Sequence, residues 1–315
     1  MEKKNSSDNH SNDESKTTDF RAGFISIVGA PNVGKSTFLN RVMEGHFAIV
    51  TDKPQTTRTV IRAIKNLDNA QMIFIDTPGL HTSQKAFNKI LIQSALNACK
   101  ESDVVLALIS AEKIHHEETE FLLTFLRDIR QTPLVLAINK IDKLELPDTT
   151  EISKDFSSLP NIKGVYPISA LLGSGIDPLL KTLAELLPKS PPLFPPDMET
   201  DMTERFFASE IIREKIFLLT KDEIPYEIAV EIDQFKEDKE KNMLVITAII
   251  HVNRPSQKRI IIGKDGDLIK KIGMAARKDL EEFFHIHVYL DLWVRVNKNW
   301  MKNPRMLREF GIITR

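Results

Sequence analysis

The hydrophobic rhythm of the chain changes at a cluster of prolines near its middle. Before that cluster, short apolar runs rich in β-branched residues, at 24–28, 72–75, 104–109, 134–138 and 165–168, alternate with segments of helical periodicity such as 85–100 and 117–129. Runs that are apolar on both faces predict strands buried in a largely parallel sheet. Strand–helix alternation with right-handed crossovers then predicts a doubly wound α/β domain. After the prolines, a helix predicted over 203–219 precedes an alternating strand carrying Ile228, Val230 and Ile232. A charged turn, a strand over 243–252, a glycine-marked helical region and a strand over 287–296 follow, which predicts a small α+β domain. Periodicity alone reads Ile260, Ile261 and Ile262 as strand. Pro188, Pro191, Pro192, Pro195 and Pro196 fall within nine residues, a density that neither a helix nor a central strand accepts, so the linker is predicted to be stiff and extended. The expected organisation is a disordered polar tail over 1–19, an α/β domain over 20–187, a linker over 188–201 and the second domain over 202–315.

Composition narrows the class. Among 315 residues there is one cysteine, Cys99, so no internal disulfide or Cys-rich zinc module is possible, and a reducing, cytoplasmic setting is expected. The longest uninterrupted apolar run, 104–109, is far short of the roughly 18 residues that would suggest a membrane span. The tail lacks the apolar segment of a signal peptide. A net charge of −1 conceals two basic regions. Residues 254–278 carry eight Lys and Arg against Asp265 and Asp267, a local excess of +6, and residues 295–315 carry six against Glu309, an excess of +5. Charge alone fits either a solvated helix face or a polyanion surface.

Motifs decide between these. Gly29-Ala30-Pro31-Asn32-Val33-Gly34-Lys35-Ser36-Thr37 fits G-x-x-x-x-G-K-[ST] between a predicted strand and a predicted helix. Such a loop closes backbone N–H groups around a β-phosphate, adds the helix dipole, supplies the Lys35 charge and offers the Ser36 hydroxyl to Mg²⁺. Asp76-Thr77-Pro78-Gly79 ends the strand at 72–75, placing a carboxylate where it can hold the magnesium shell and a glycine that can approach a γ-phosphate. Between them, 53–58 is polar and aperiodic, a candidate switch loop in which Thr57, or failing that Thr56, completes the Mg²⁺ site. Asn139-Lys140-Ile141-Asp142 follows the strand at 134–138, at the same carboxyl edge of the sheet. The Asp142 carboxylate can accept from both N1–H and the 2-amino group of guanine, whereas adenine offers no such donors, so GTP and GDP are the expected ligands. Ser169-Ala170 would back the base with a backbone N–H.

The sequences GAPNVGKST, KPQTTR, DTPGLH, NKID and SAL resemble the translation-factor-related (TrmE-Era-EngA-like) GTPases, and within them the Era-type family, whose members carry a KH domain. The resemblance spans about 22–315. It implies a type II KH domain with a C-terminal helical extension, in which Gly263-Lys264-Asp265-Gly266 forms the G-x-x-G loop that clamps nucleic-acid backbone. It makes helix, not strand, of 260–262. RNA contacts are then expected from Lys258, Arg259, Gly263, Lys264, Asp265, Gly266, Lys270, Lys271 and Arg277. Implied partners are the 3′ end of small-subunit rRNA and the small ribosomal subunit during assembly, with peripheral inner-membrane association reported for such proteins and a monomeric state. Catalysis would fall to Lys35, Thr57 and Gly79. Leu80 occupies the place where Ras-like enzymes carry a water-orienting Gln, which implies slow intrinsic turnover. Asn32 stands where relatives with that departure use an asparagine to help bind K⁺. Arg58, His115 and His116 read as surface residues, Cys99 as a buried hydrophobe, and His285 and His287 as non-ligands.

Three other readings share some of these features. A nucleotide-gated RNA tether has every motif. A P-loop ATPase or small-molecule kinase is disfavoured by Asp142, and a tRNA-modifying GTPase by the absence of a C-terminal cysteine.

Overall fold

The computed structural model describes residues 19–45, 47–50, 61–80, 86–144, 156, 159 and 161–312. The polar tail up to residue 18 and the candidate switch loop with Thr56, Thr57 and Arg58 lie outside the described residues.

The first domain is a six-stranded sheet in the order β2-β3-β1-β4-β5-β6. Its strands are β1 (Arg21–Gly29), β2 (Ile61–Asn66), β3 (Ala70–Asp76), β4 (Val104–Ser110), β5 (Leu134–Asn139) and β6 (Ile162–Pro167). All neighbours run parallel except β2, which pairs antiparallel with β3 at the edge. Every residue of β3, β4 and β5 is buried, as double-faced apolar runs require. Helices α1 (Lys35–Met43) and α4 (Ile176–Leu186) cover one face, where Phe38, Leu39, Phe74, Leu106 and Leu179 form a core. Helices α2 (Ala86–Glu101) and α3 (Glu117–Arg127) cover the other, around Val28, Val105, Leu122, Leu126 and Leu136. The fold is therefore the doubly wound α/β arrangement.

The linker is extended but not free. Buried Gln71 donates to the Phe194 carbonyl at 2.9 Å and accepts from the Leu193 and Phe194 amides at 2.7 and 2.9 Å. One side chain thus satisfies backbone groups that proline-rich chain cannot pair in a ladder.

The second domain runs α5 (Glu204–Leu219), β7 (Ile228–Asp238), β8 (Met243–Val252), α6 (Pro255–Ile262), α7 (Asp267–Phe284) and β9 (His287–Val296), followed by α8 (Pro304–Glu309). The sheet order is β7-β8-β9, antiparallel then parallel. Its core joins Ile212, Ile216, Ile246, Ile250, Ile261, Ile272 and Leu280. Residues 260–262 are helical, against the periodicity reading: Pro255 sits in the first turn, Gly263 ends the helix, Ile261 is buried and Ile260 is exposed. Three successive isoleucines are thus divided between core and surface by a helical turn.

The two domains meet through the C-terminal extension. Leu91 of α2 is buried in a cluster with Ala229, Trp300, Leu307 and Ile312. Trp300 is fully buried and its indole N–H donates to the Glu227 carbonyl at 3.2 Å.

Candidate functional site

The phosphate loop leaves β1 at Gly29 and enters α1 at Lys35. Gly34 adopts φ 99°, and a Cβ there would lie 2.3 Å from Asn139 Nδ2, so the position needs glycine for both conformation and space. No side chain caps α1, so its first amides face the place a phosphate would take. Lys35 is buried, and its Nζ donates to the Gly29 and Ala30 carbonyls at 3.1 Å each, spanning the loop. Burial pushes the Lys35 ammonium down to about 8, with Asp76 pulling the other way. Ala30, Pro31 and Val33 are buried and Asn32 is exposed with φ 61°.

Asp76, fully buried at the end of β3, accepts from the Ser36 hydroxyl at 3.3 Å. Two hard oxygen donors side by side next to the phosphate loop are the donor set that suits Mg²⁺. Gly79 packs on Pro31, which a Cβ would approach to 3.2 Å, so the two phosphate motifs touch. Thr77 faces inward instead: its hydroxyl donates to the Ile27 carbonyl at 2.7 Å, tying β3 to β1. Pro78 is buried beside it.

At the base end, Asn139 is a brace between loops. Its Nδ2 donates to the Val33 carbonyl at 2.8 Å and its Oδ1 accepts from the Ala170 amide at 2.9 Å. Ser169 donates to Asp142 at 2.5 Å and accepts from the Leu172 amide at 3.1 Å, which orients the carboxylate. Lys140 holds φ 66° and pairs with Glu112 at 3.9 Å. One residue without a motif signal also belongs here: Arg41 of α1 donates to the Ala170 carbonyl at 3.3 Å and to that of Leu171, pinning the base loop to the phosphate helix. Only its spacing from the loop on an otherwise amphipathic helix could have drawn attention to it.

Leu80 is fully buried, in the core with Val28, Ala95 and Cys99, and its amide donates to the Gly29 carbonyl at 3.0 Å. A leucine therefore stands after Asp76-x-x-Gly79 for a packing reason. Leu80→Gln is expected to destabilise the domain by about 2–3 kcal/mol, from lost apolar burial and an amide left without water, and not to raise turnover. Denaturant unfolding beside a GTPase assay checks both halves. His116 caps α3, accepting from the Glu118 amide at 3.3 Å, and His115 is exposed. Cys99 is buried, which pushes its thiol up to about 12 and keeps it unreactive. His285 closes α7 with φ 53°, and His287 lies 3.6 Å from Glu281.

In the second domain, Gly263 (φ 78°) and Gly266 (φ 80°) flank Lys264 and Asp265 at the joint of α6 and α7. A Cβ on Gly263 would lie 2.8 Å from Leu268, whereas one on Gly266 would meet nothing. Gly263 thus lets the helices meet, and Gly266 leaves the loop surface open for close approach. A groove of about 340 Å³ runs between α7 and β9, lined by Lys270, Met274, Arg277, Tyr289 and Leu292 among others. Arg259 and Lys264 are exposed, while Lys271 pairs with Asp267 at 2.7 Å. Lys258 lies elsewhere, at a depression shared with Trp293 and Arg295.

Comparison with known proteins matches this two-part architecture. Residues 24–140 match the family described as 50S ribosome-binding GTPase, and residues 223–301 match the KH domain family. GTPase Era of Syntrophus aciditrophicus is 47% identical over 292 residues, covering 93% of this chain and 95% of the relative. GTPase Era of Geotalea daltonii is 44% identical, covering 93% and 98%. A crystal structure of Era in complex with MgGDPNP and nucleotides 1506–1542 of 16S ribosomal RNA is 39% identical, with TM-score 0.88 over 94% of this chain and all of that one. A crystal structure of an Aquifex aeolicus Era variant bound to GDP·AlF4⁻ matches with TM-score 0.87 at the same identity and coverage. With a GTPase domain and a KH domain in one chain that aligns over 93% of its length with GTPase Era relatives, this protein belongs to the Era family of GTPases.

Proposed function

We propose that this GTPase binds the 3′ end of small-subunit rRNA through its KH groove and acts as a nucleotide-timed factor in assembly of the small ribosomal subunit. The observation that carries this reading is the pairing, in one chain, of phosphate and base motifs at one sheet edge with a G-x-x-G loop and a basic groove, joined by the Leu91–Trp300 contact. A relative of matching architecture has been crystallised with that rRNA segment.

In the hydrolytic step, a water attacks the γ-phosphorus in line and the bond to the bridging oxygen of GDP breaks. Negative charge grows on the bridging and γ oxygens. Lys35 and the loop amides from Gly29 to Thr37 meet that charge from fixed positions, so little reorganisation is required. Ser36 and Asp76, with Thr57 from the switch loop, would hold Mg²⁺, which would offset negative charge on the triphosphate. Gly79 would offer its amide to the γ-phosphate. Nothing on Leu80 can orient the water, which supports a slow basal rate. Asn32, exposed on the loop, would help hold K⁺, and turnover in K⁺ should then exceed that in Na⁺, equal rates counting against the role.

At the base, Asp142 would accept from N1–H and the 2-amino group of guanine, with the Ala170 region behind it. Asp142→Asn replaces one of those acceptor roles by a donor clash, and GTP preference over other triphosphates should fall by about tenfold or more. Competition binding with GTP, XTP and ATP reads the change, and unaltered preference would remove Asp142 from the base site.

The RNA half is tested with a short single-stranded RNA copied from the small-subunit rRNA 3′ end. The wild type should bind it and a Gly263→Asp/Gly266→Asp variant should not, while both hydrolyse GTP alike. Gly266 has open space around it, so Gly266→Asp alone meets no clash, only the strain of its left-handed backbone, and serves as the milder variant. Equal RNA binding by wild type and variants would refute the assignment. The protein is expected to act as a cytoplasmic monomer, with peripheral contact to the inner membrane a further role expected of the family.

A further inference from the structure

One face of the second domain's sheet packs on α5, α6 and α7, and the opposite face is divided along its length. One end lies under the C-terminal extension, where buried His251 sits with its ring 4.8 Å from that of Phe310. The remainder carries Val245, Thr247 and Ile249 of β8 beside Tyr289 and Trp293 of β9, with Val245 opposite Tyr289 and Ile249 opposite Trp293. Trp293 is 62% exposed and Tyr289 56%, the most exposed aromatic side chains among the described residues.

The indole is not loose. Its N–H donates to Asp291 at 2.8 Å, which fixes the polar edge of the ring while most of the residue stays in solvent. Trp293 borders a depression of about 530 Å³ together with Lys258, Arg295, Thr247, Ile249 and, as the one acid, Asp233. Tyr289, four residues earlier on the same strand and so about 13 Å away, borders the groove between α7 and β9 with Lys270 and Arg277. β9 is the edge strand, and it lines both the groove, with Tyr289, and the depression, with Trp293. An ordered, solvent-facing indole beside Lys258 and Arg295, on the strand that also lines the basic groove, has the chemistry of a base-stacking platform.

We propose that this face is a second surface for single-stranded RNA, on which a strand leaving the basic groove between α7 and β9 passes Tyr289, stacks a base on Trp293 and sets phosphates against Lys258 and Arg295. The proposal rests on the reading of the KH domain as RNA-binding. It also gives Lys258 a place, since that residue does not line the groove with the other basic side chains.

The test uses the full chain and two unstructured RNAs, one of about four nucleotides, the span a KH groove clamps, and one about three times as long. Trp293→Ala should leave affinity for the short RNA unchanged and weaken the long one about tenfold, and Trp293→Phe should restore most of the loss. Only two tryptophans are present and Trp300 is buried, so quenching of the exposed fluorophore by the long RNA, absent in Trp293→Phe, reports the stacking directly. The Gly263→Asp/Gly266→Asp variant should lose both RNAs. If that variant still binds the short RNA, the KH reading itself fails and this proposal with it. If the glycine variant behaves as expected but Trp293→Ala binds both RNAs like wild type, with no quenching, the surface is not an RNA site and a protein partner is the remaining occupant.

Discussion

Lys35→Met should slow GTP turnover about a hundredfold or more at saturating nucleotide, because it removes a preorganised charge aimed at oxygens that gain negative charge in the transition state. The same residue makes a pH-dependent binding curve. In the ligand-free protein burial pushes Lys35 down to about 8. A triphosphate stabilises the charged form, so binding returns the proton. Below about pH 8 the lysine is already charged and affinity should be level on its account. As pH rises above 8 the free protein loses the proton, and affinity should fall by up to about tenfold per pH unit, with net proton uptake on binding. Calorimetric titrations in buffers of different ionisation enthalpy read both quantities, and Lys35→Met should abolish the slope. A wild-type affinity that stays level well above pH 8 would contradict this assignment.

Trp300→Ala should cost about 3–5 kcal/mol, the range for deleting a large aromatic from a packed core. The indole is fully buried against Ala229, Leu91, Leu307 and Ile312, with its ring 5.5 Å from that of Phe310, and its N–H satisfies the Glu227 carbonyl. The loss should appear as a lower denaturation midpoint with little change in basal GTP turnover, since no part of the nucleotide edge touches Trp300. A milder cut, Leu91→Ala, removes the α2 side of the same contact. It should leave each domain's own activity in place and weaken the influence of nucleotide on RNA binding.

The strands buried on both faces were legible because their apolar runs have no polar face. Edge strand β2 was not, since Ile-Arg-Ala-Ile-Lys-Asn carries a broken alternation and its pairing is fixed by β3 alone. Triple isoleucine at 260–262 misled periodicity for a related reason: a one-turn sample cannot separate period 2 from 3.6, and the proline and glycine that bracket it decide. Among candidate site residues, those expected to meet ligand through backbone or charge, such as Gly34, Lys35 and Asp142, stand in readable spacings. Tying roles are not readable in that way: Arg41 stands in no motif, and the motifs that hold Asn139 and Thr77 do not disclose what those side chains bind. Arg41 bridges 129 residues of sequence to reach Ala170, Asn139 holds two loops at once, and Thr77 serves the sheet. Leu80 stands where a water-orienting Gln would be and is also a core residue, a second role that only burial reveals.

The central claim is that nucleotide and RNA are coupled through the contact between α2, which follows the Asp76–Gly79 loop, and the C-terminal extension. The most direct measurement is the affinity of the full chain for the small-subunit rRNA 3′-end RNA with GDP and with a non-hydrolysable GTP analogue. The account predicts affinities that differ by at least about fivefold, with RNA shifting nucleotide affinity by the same factor, and a reduced ratio in Leu91→Ala. Equal affinity in the two nucleotide states would contradict it, leaving a GTPase and an RNA-binding domain that share a chain without sharing free energy.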